Sequence, residues 1–155
     1  MQVKKRDGTL EDLNIDKLHK VVQYACEDIS GVSASQVEIN SNIQFYDGIA
    51  SEDVQETLIK SAADLISEET PNYQYVAGRL INYHLRKQVY GTFTPPCLCD
   101  IIQDNIDNGF YDTEFTDLYT KEDINELNDY INHERDEVLT YAAMEQFRGK
   151  YLVQN

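Results

Sequence analysis

The chain has 155 residues, 41% of them hydrophobic and 26% charged, with a formal net charge of -15. Such a balance belongs to a globular protein with one domain, or one small domain plus a piece of another, and its negative charge argues against non-specific nucleic-acid binding. No apolar run approaches the roughly 20 residues that span a bilayer, and the N-terminus lacks the apolar core of a signal peptide, so the expected compartment is the cytoplasm.

Residues 3–6 predict a short strand, Asp7-Gly8 a turn, and residues 10–14 a returning strand. Asp16 is the expected N-cap of a first helix. Its apolar residues Leu18, Val21, Val22, Ala25 and Ile29 keep helical spacing, and Gly31 is its expected end. Ser33 and Gln36 have capping-box spacing and predict a second helix to about Gln44. Residues 45–49 read as a turn with extended character, a candidate third strand. Ser51 is expected to cap a third helix with Glu52 and Asp53 in its first turn and Val54, Leu58, Ala62, Leu65 and Ile66 as its buried stripe.

A fourth helix is predicted from about Tyr73 to Tyr90, closed by Gly91. Thr92 to Pro96 form an extended break, and the domain boundary is placed there, between residues 1–91 and 92–155. Further helices are expected around Leu98 to Ile106, ending near Gly109, after a Thr120 cap with Ile124, Leu127 and Ile131, and from about Glu134 to Phe147. The first segment carries a net charge of -5 and the second -10. The second is too acidic and too thinly apolar for a good core of its own and is expected to pack on something else. Its end after Tyr151-Leu152-Val153 reads as a cut through a longer fold.

Lys4, Lys5 and Arg6 form a local cationic cluster in an acidic chain. A solvated hairpin edge explains it as well as an anion site does. The anion site gains from Lys17 at a helix start, where N–H groups favour anions, and from Lys87 at the end of another helix. No Walker-type Gly-rich loop exists. The three cysteines suit a reduced compartment. Cys97 and Cys99 read as ordinary packing cysteines, with no metal site expected. His19, His84 and His133 are scattered, and no nucleophilic constellation stands out, so no catalytic residue is expected in this chain.

Val3-Lys4-Lys5-Arg6-Asp7-Gly8, followed by Glu11, Asn14 and Lys17, resembles the opening of the ATP-cone, the regulatory domain of ribonucleotide reductase large subunits. Gln44-Phe45-Tyr46-Asp47-Gly48-Ile49, Ala62-Ala63-Asp64-Leu65-Ile66-Ser67, Tyr73-Gln74-Tyr75 and His84-Leu85-Arg86-Lys87 extend the likeness. So do Tyr90-Gly91 with Pro95-Pro96, and Gly149-Lys150-Tyr151-Leu152-Val153-Gln154-Asn155, which are similar to the class Ia enzymes of bacterial and bacteriophage type. The resemblance implies a mainly α fold: a four-helix bundle capped by a small three-stranded sheet, then helices leading into a ten-stranded α/β barrel missing here.

It further implies ATP or dATP, with Mg2+, as an allosteric effector. Lys5, Arg6, Lys17 and Lys87 match the phosphate cations, Glu11 and Asn14 the adenine positions, and Val3 an apolar residue near the base. Ser51 stands where the family often has Thr, and Gln55 where it has His. An amide lacks the imidazole's charge and pH dependence, so weak dATP inhibition is expected. The implied partners are the rest of the large subunit, in the same or a separate chain, and the small radical-generating beta subunit; neither nucleic acid nor membrane is expected. The family's catalytic cysteines lie beyond residue 155. Two other readings stand beside this one: a degenerate cone kept only for assembly, and a repressor, which would need the zinc module and basic face that this chain lacks.

Overall fold

Gly8 takes φ +87°, a left-handed turn open to glycine. In the computed structural model, which describes residues 1–153, it closes a hairpin between β1 (Gln2–Lys4) and β2 (Leu10–Asp12). The strands are antiparallel, with Val3 opposite Glu11. A second turn brings in β3 (Ile49–Ala50), parallel to β1 on its other side, giving the order β2-β1-β3. Gly48, at φ +83°, donates to the Gln2 carbonyl, and the Asp47 carboxylate accepts from Gln2 N–H at 2.7 Å. That turn aligns β3 with a strand 45 residues earlier.

Four helices build the core beneath the sheet: α1 (Ile15–Cys26), α2 (Ala34–Asn42), α3 (Ser51–Ala63) and α4 (Tyr73–Tyr90). Leu18, Val22 and Ala25 of α1 meet Val37 of α2, Val54, Leu58 and Ala62 of α3, and Val76, Leu80 and Ile81 of α4. Val3 and Ile49 bury the inner face of the sheet in the same cluster. The fold is mainly helical with one small three-stranded sheet.

Several ends differ from expectation. Asn14, not Asp16, caps α1, its side chain accepting from Lys17 N–H. α1 stops at Cys26, short of Gly31, where Asp28 turns left-handed at φ 58°. Ser33 precedes α2 without a side-chain cap; the Tyr73 hydroxyl instead accepts from Ser33 N–H at 2.9 Å and donates to Gln36 at 2.6 Å. A tertiary partner thus takes over the capping box. Ser51 is the first residue of α3 and makes no cap; Ala50 holds the N-cap position.

The chain divides into two compact units, residues 86–135 and the remainder. The division falls after Leu85, and residues from Asp136 onward belong with the first unit, whereas the sequence suggested one segment after residue 91. The single helix expected near 134–147 is a 3-10 helix (His133–Val138), a break at Leu139-Thr140, then α8 (Tyr141–Gln146) and a π turn (Phe147–Tyr151). Thr140 caps α8, and Met144 enters the core of the first unit. Gly78 of α4 is the point of close approach: a Cβ there would overlap the Leu139 carbonyl oxygen. The last two residues of the resembling segment, Gln154 and Asn155, lie outside the described residues.

The second unit contains α5 (Leu98–Asp107), α6 (Glu114–Leu118) and α7 (Lys121–Tyr130). Thr120 caps α7 through a full capping box with Asp123, as its spacing allowed. Among the described residues, Ile102 and Ile124 are the buried hydrophobic side chains of this unit, in keeping with its thin apolar content.

Candidate functional site

The cationic turn is held in shape before any ligand arrives. Asp7 accepts from Thr9 N–H at 2.9 Å and from the Thr9 hydroxyl at 2.7 Å. These bonds hold its carboxyl below the usual range. Lys5 reaches across the hairpin to Glu11, Nζ to Oε2 at 3.0 Å. Arg6 reaches the first turn of α3, Nε to Glu52 Oε1 at 2.8 Å. Val3, buried between Lys4 and Gln2, anchors β1 to the core.

A helix starts at each end of the hairpin: α1 beside Met1, whose carbonyl accepts from Leu13 N–H, and α3 at the turn, where Arg6 meets Glu52. Two residues after β2, Asn14 directs its side-chain oxygen at Lys17 N–H, 2.9 Å away. The cap leaves the Asn14 side-chain NH2 to donate elsewhere, and Lys17 is exposed. At the other start, Ser51 and Gln55 stand four residues apart, on one face of α3, both partly buried. Glu52 and Glu56 form the adjacent row. The structure therefore links Lys5 to Glu11, Arg6 to the Ser51 end of α3, and Asn14 to Lys17. Lys87 is not among these contacts; it lies in the second unit, its ammonium 5.2 Å from the centroid of the Phe93 ring.

Glu56 and Arg148, which sequence reasoning passed over, meet along α3 beside His84, which it read as a packing or surface residue. Glu56 takes Arg148 at 2.7 Å, and Arg148 also takes Glu145 at 2.6 Å. Desolvation opposes the Arg148 charge, but the hydrogen bonds it donates to Glu145 and Glu56 outweigh it and raise its pKa. His84 is 3% exposed, with Nε2 3.4 Å from Glu56 and Nδ1 without a hydrogen-bond partner among the described residues. Burial lowers the His84 pKa despite Glu56. Glu56 and Arg148 are 92 residues apart, so no local pattern could have paired them.

The donor set suits a polyphosphate. Lys5 and Arg6 adjoin the turn, α3 begins beside Arg6, and Lys17 stands in the first turn of α1 at the other end of the hairpin. Glu11 is the counter-charge of Lys5, and Glu52 that of Arg6. Among the described residues, no group of three or more His, Cys, Asp or Glu is placed to hold a metal ion, and no helix is long and apolar enough to cross a membrane.

The ATP cone domain family matches residues 1–88. The chain is 50% identical over 153 residues to ribonucleoside-diphosphate reductase 1 subunit alpha of Escherichia coli (strain K12), covering 99% of this chain and 20% of that protein. It is 50% identical over 155 residues to the subunit alpha of Haemophilus influenzae, covering 100% of this chain and 20% of that protein. Against the subunit alpha of Enterobacteria phage T4 the identity is 39% over 157 residues, with 100% and 20% covered. The chain thus spans about a fifth of the length of the curated relatives it matches.

Proposed function

Because the chain belongs to the ATP cone domain family, we propose that residues 1–91 bind ATP or dATP, with Mg2+, as an allosteric effector of a ribonucleoside-diphosphate reductase. The observation that carries this reading is the cationic turn at the open end of α3, with Arg6 2.8 Å from Glu52. Lys5, Arg6 and Lys17 take the phosphates, Val3, Glu11 and Asn14 the adenine end, and Ser51 and Gln55 the α3 side of the site. Lys87 is included on the family resemblance of its sequence segment alone. All nine residues fall within the matched span of 1–88, so a cone kept only for assembly is not favoured.

Residues 92–155 join this regulator to the remainder of the reductase large subunit, in the same chain or a separate one. That remainder carries out the reduction of ribonucleoside to deoxyribonucleoside diphosphates with the small radical-generating beta subunit, in the cytoplasm. Support comes from the names of the relatives and the position of the match in their first fifth.

Thermal shift and calorimetric titration of the full chain test the binding step. Nucleotide at 100 times its Kd stabilises the folded state by about 2.7 kcal/mol. Both ATP and dATP are expected to raise the midpoint, and Lys5→Ala with Arg6→Ala to abolish the rise. An unchanged midpoint at millimolar nucleotide would refute effector binding.

A further inference from the structure

Cys97 and Cys99 are not the packing cysteines their sequence context suggested. Cys97 is exposed, Cys99 is partly exposed, and both lie at the start of α5. Cys97 is the N-cap residue, with extended ψ of 142°, and Leu98 is the first helical residue. Helical geometry at Leu98 sets the flanking Cα atoms about 5.4 Å apart. That separation lies inside the roughly 4.4–6.8 Å range that disulfides span.

The side chains converge as well. One atom, Oδ1 of Asn125 on α7, accepts from Cys99 Sγ at 3.1 Å and stands 3.9 Å from Cys97 Sγ. Two thiols directed at one oxygen lie on the same side of the helix start. No third protein ligand joins them among the described residues, which argues for covalent chemistry over a structural zinc site. Cys26 offers the contrast: it sits on the α1 side of the core, where burial pushes its thiol up to about 11.

We propose that Cys97 and Cys99 form a thiol–disulfide exchange site, which a low-molecular-weight disulfide closes into an intramolecular bond. Cys97, the more exposed sulfur, attacks first as its thiolate. It bonds to one sulfur of the oxidant, whose S–S bond breaks and whose other half leaves as a thiolate and takes up a proton. Cys99, losing its own proton, then attacks the Cys97 sulfur and expels the second half. Two protein thiols are oxidised by two electrons, and one small disulfide is reduced to two thiols. Desolvation and then the neighbouring Cys97 raise the Cys99 pKa. Closure removes both S–H donors from Asn125, and the Cys99 S–H from the Lys121 carbonyl 3.9 Å away, while the Leu98 N–H bond to Asn128 at 2.9 Å remains.

The site is independent of nucleotide binding and is tested on the full reduced chain with oxidised glutathione. Peptide mapping by mass spectrometry should show the peptide holding residues 97–99 losing the mass of two hydrogen atoms, with recovery in dithiothreitol. Cys97→Ser and Cys99→Ser should each stop that loss, and Cys26→Ser should leave it unchanged. A lasting glutathionyl adduct on Cys97 beside a free Cys99, a bond between two chains, or no reaction at excess oxidant would each overturn the proposal.

Discussion

An anion approaching Arg6 meets Glu52 before it meets the guanidinium alone. The two side chains are 44% and 50% exposed and 2.8 Å apart, so their pair is worth about 0–1 kcal/mol. Its influence on a triphosphate is larger than that figure suggests, because Glu52 also repels the incoming charge. Glu52→Gln should tighten ATP binding by about 0.5–1 kcal/mol, roughly two- to five-fold, read by calorimetry at 0.15 M salt. It should also loosen the first turn of α3 by up to ~1 kcal/mol, since an acid there favours the helix dipole. Weaker binding by the variant would show that Glu52 orients Arg6 rather than competing for it. Gln55 makes the second prediction at this scale. It lies one turn after Ser51, where an imidazole would carry charge only at low pH. Gln55→His should make nucleotide affinity rise as pH falls below about 6.5, while the parent stays flat through that window. In the assembled enzyme the parent should respond weakly to dATP and the variant more strongly. Strong dATP inhibition of the parent would overturn this account of Gln55. The pairing of Lys5 with Glu11 was within reach of local pattern because both sit in one hairpin, six residues apart. Glu56, His84 and Arg148 were not, because their partnership exists only once α3, α4 and the π turn are packed.

At the level of elements, periodicity located the helices better than local signals located their ends. Apolar spacing found α1, α3, α4, α5 and α7, since a buried stripe must repeat with the helix. The caps were decided by geometry that spacing alone does not encode. Asn14 displaced Asp16 because β2 ends at Asp12 and leaves Asn14 extended, at ψ 96°. Tyr73 displaced the Ser33 cap by bringing a hydroxyl from a helix 40 residues away. Gly78 records the opposite tension. Inside a helix, glycine costs about 1 kcal/mol relative to alanine. It is tolerated because the Leu139-Thr140 backbone lies against it, and backbone cannot swing aside as a side-chain tip can. Gly78→Ala should therefore destabilise the chain by about 1–3 kcal/mol in urea unfolding, despite its better helix propensity. A stabilised variant would show that the 139–140 segment does not pack there in solution.

For the whole molecule, the consequential finding is the return of the chain from Asp136 onward to the first unit. Its apolar residues are few, so composition made the last third look coreless. Yet Met144 is 5% exposed in the main cluster, with Leu139 and Tyr141 packed against it. Polar ties accompany the apolar ones: Arg79 donates to the Glu137 carbonyl at 3.2 Å, and Arg148 bridges Glu56 and Glu145. A cone cut at residue 91, where sequence alone put the boundary, would lose all of these. Burying one methionine contributes about 1.5–3 kcal/mol, and Glu56 of α3 and Arg79 of α4 would lose polar partners as well. Residues 1–91 should therefore unfold at least ~10 °C below the full chain, since 1 kcal/mol shifts a domain of this size by about 4–8 °C. Met144→Ala in the full chain isolates the packing share and should cost about 2–5 kcal/mol. If both proteins melt with the parent, residues from Asp136 onward contribute nothing to the cone. If both fall, the 141–151 segment supports α3 through Glu56, one turn after the Glu52 that meets Arg6. Effector binding and the anchoring of the following chain would then act on a single helix.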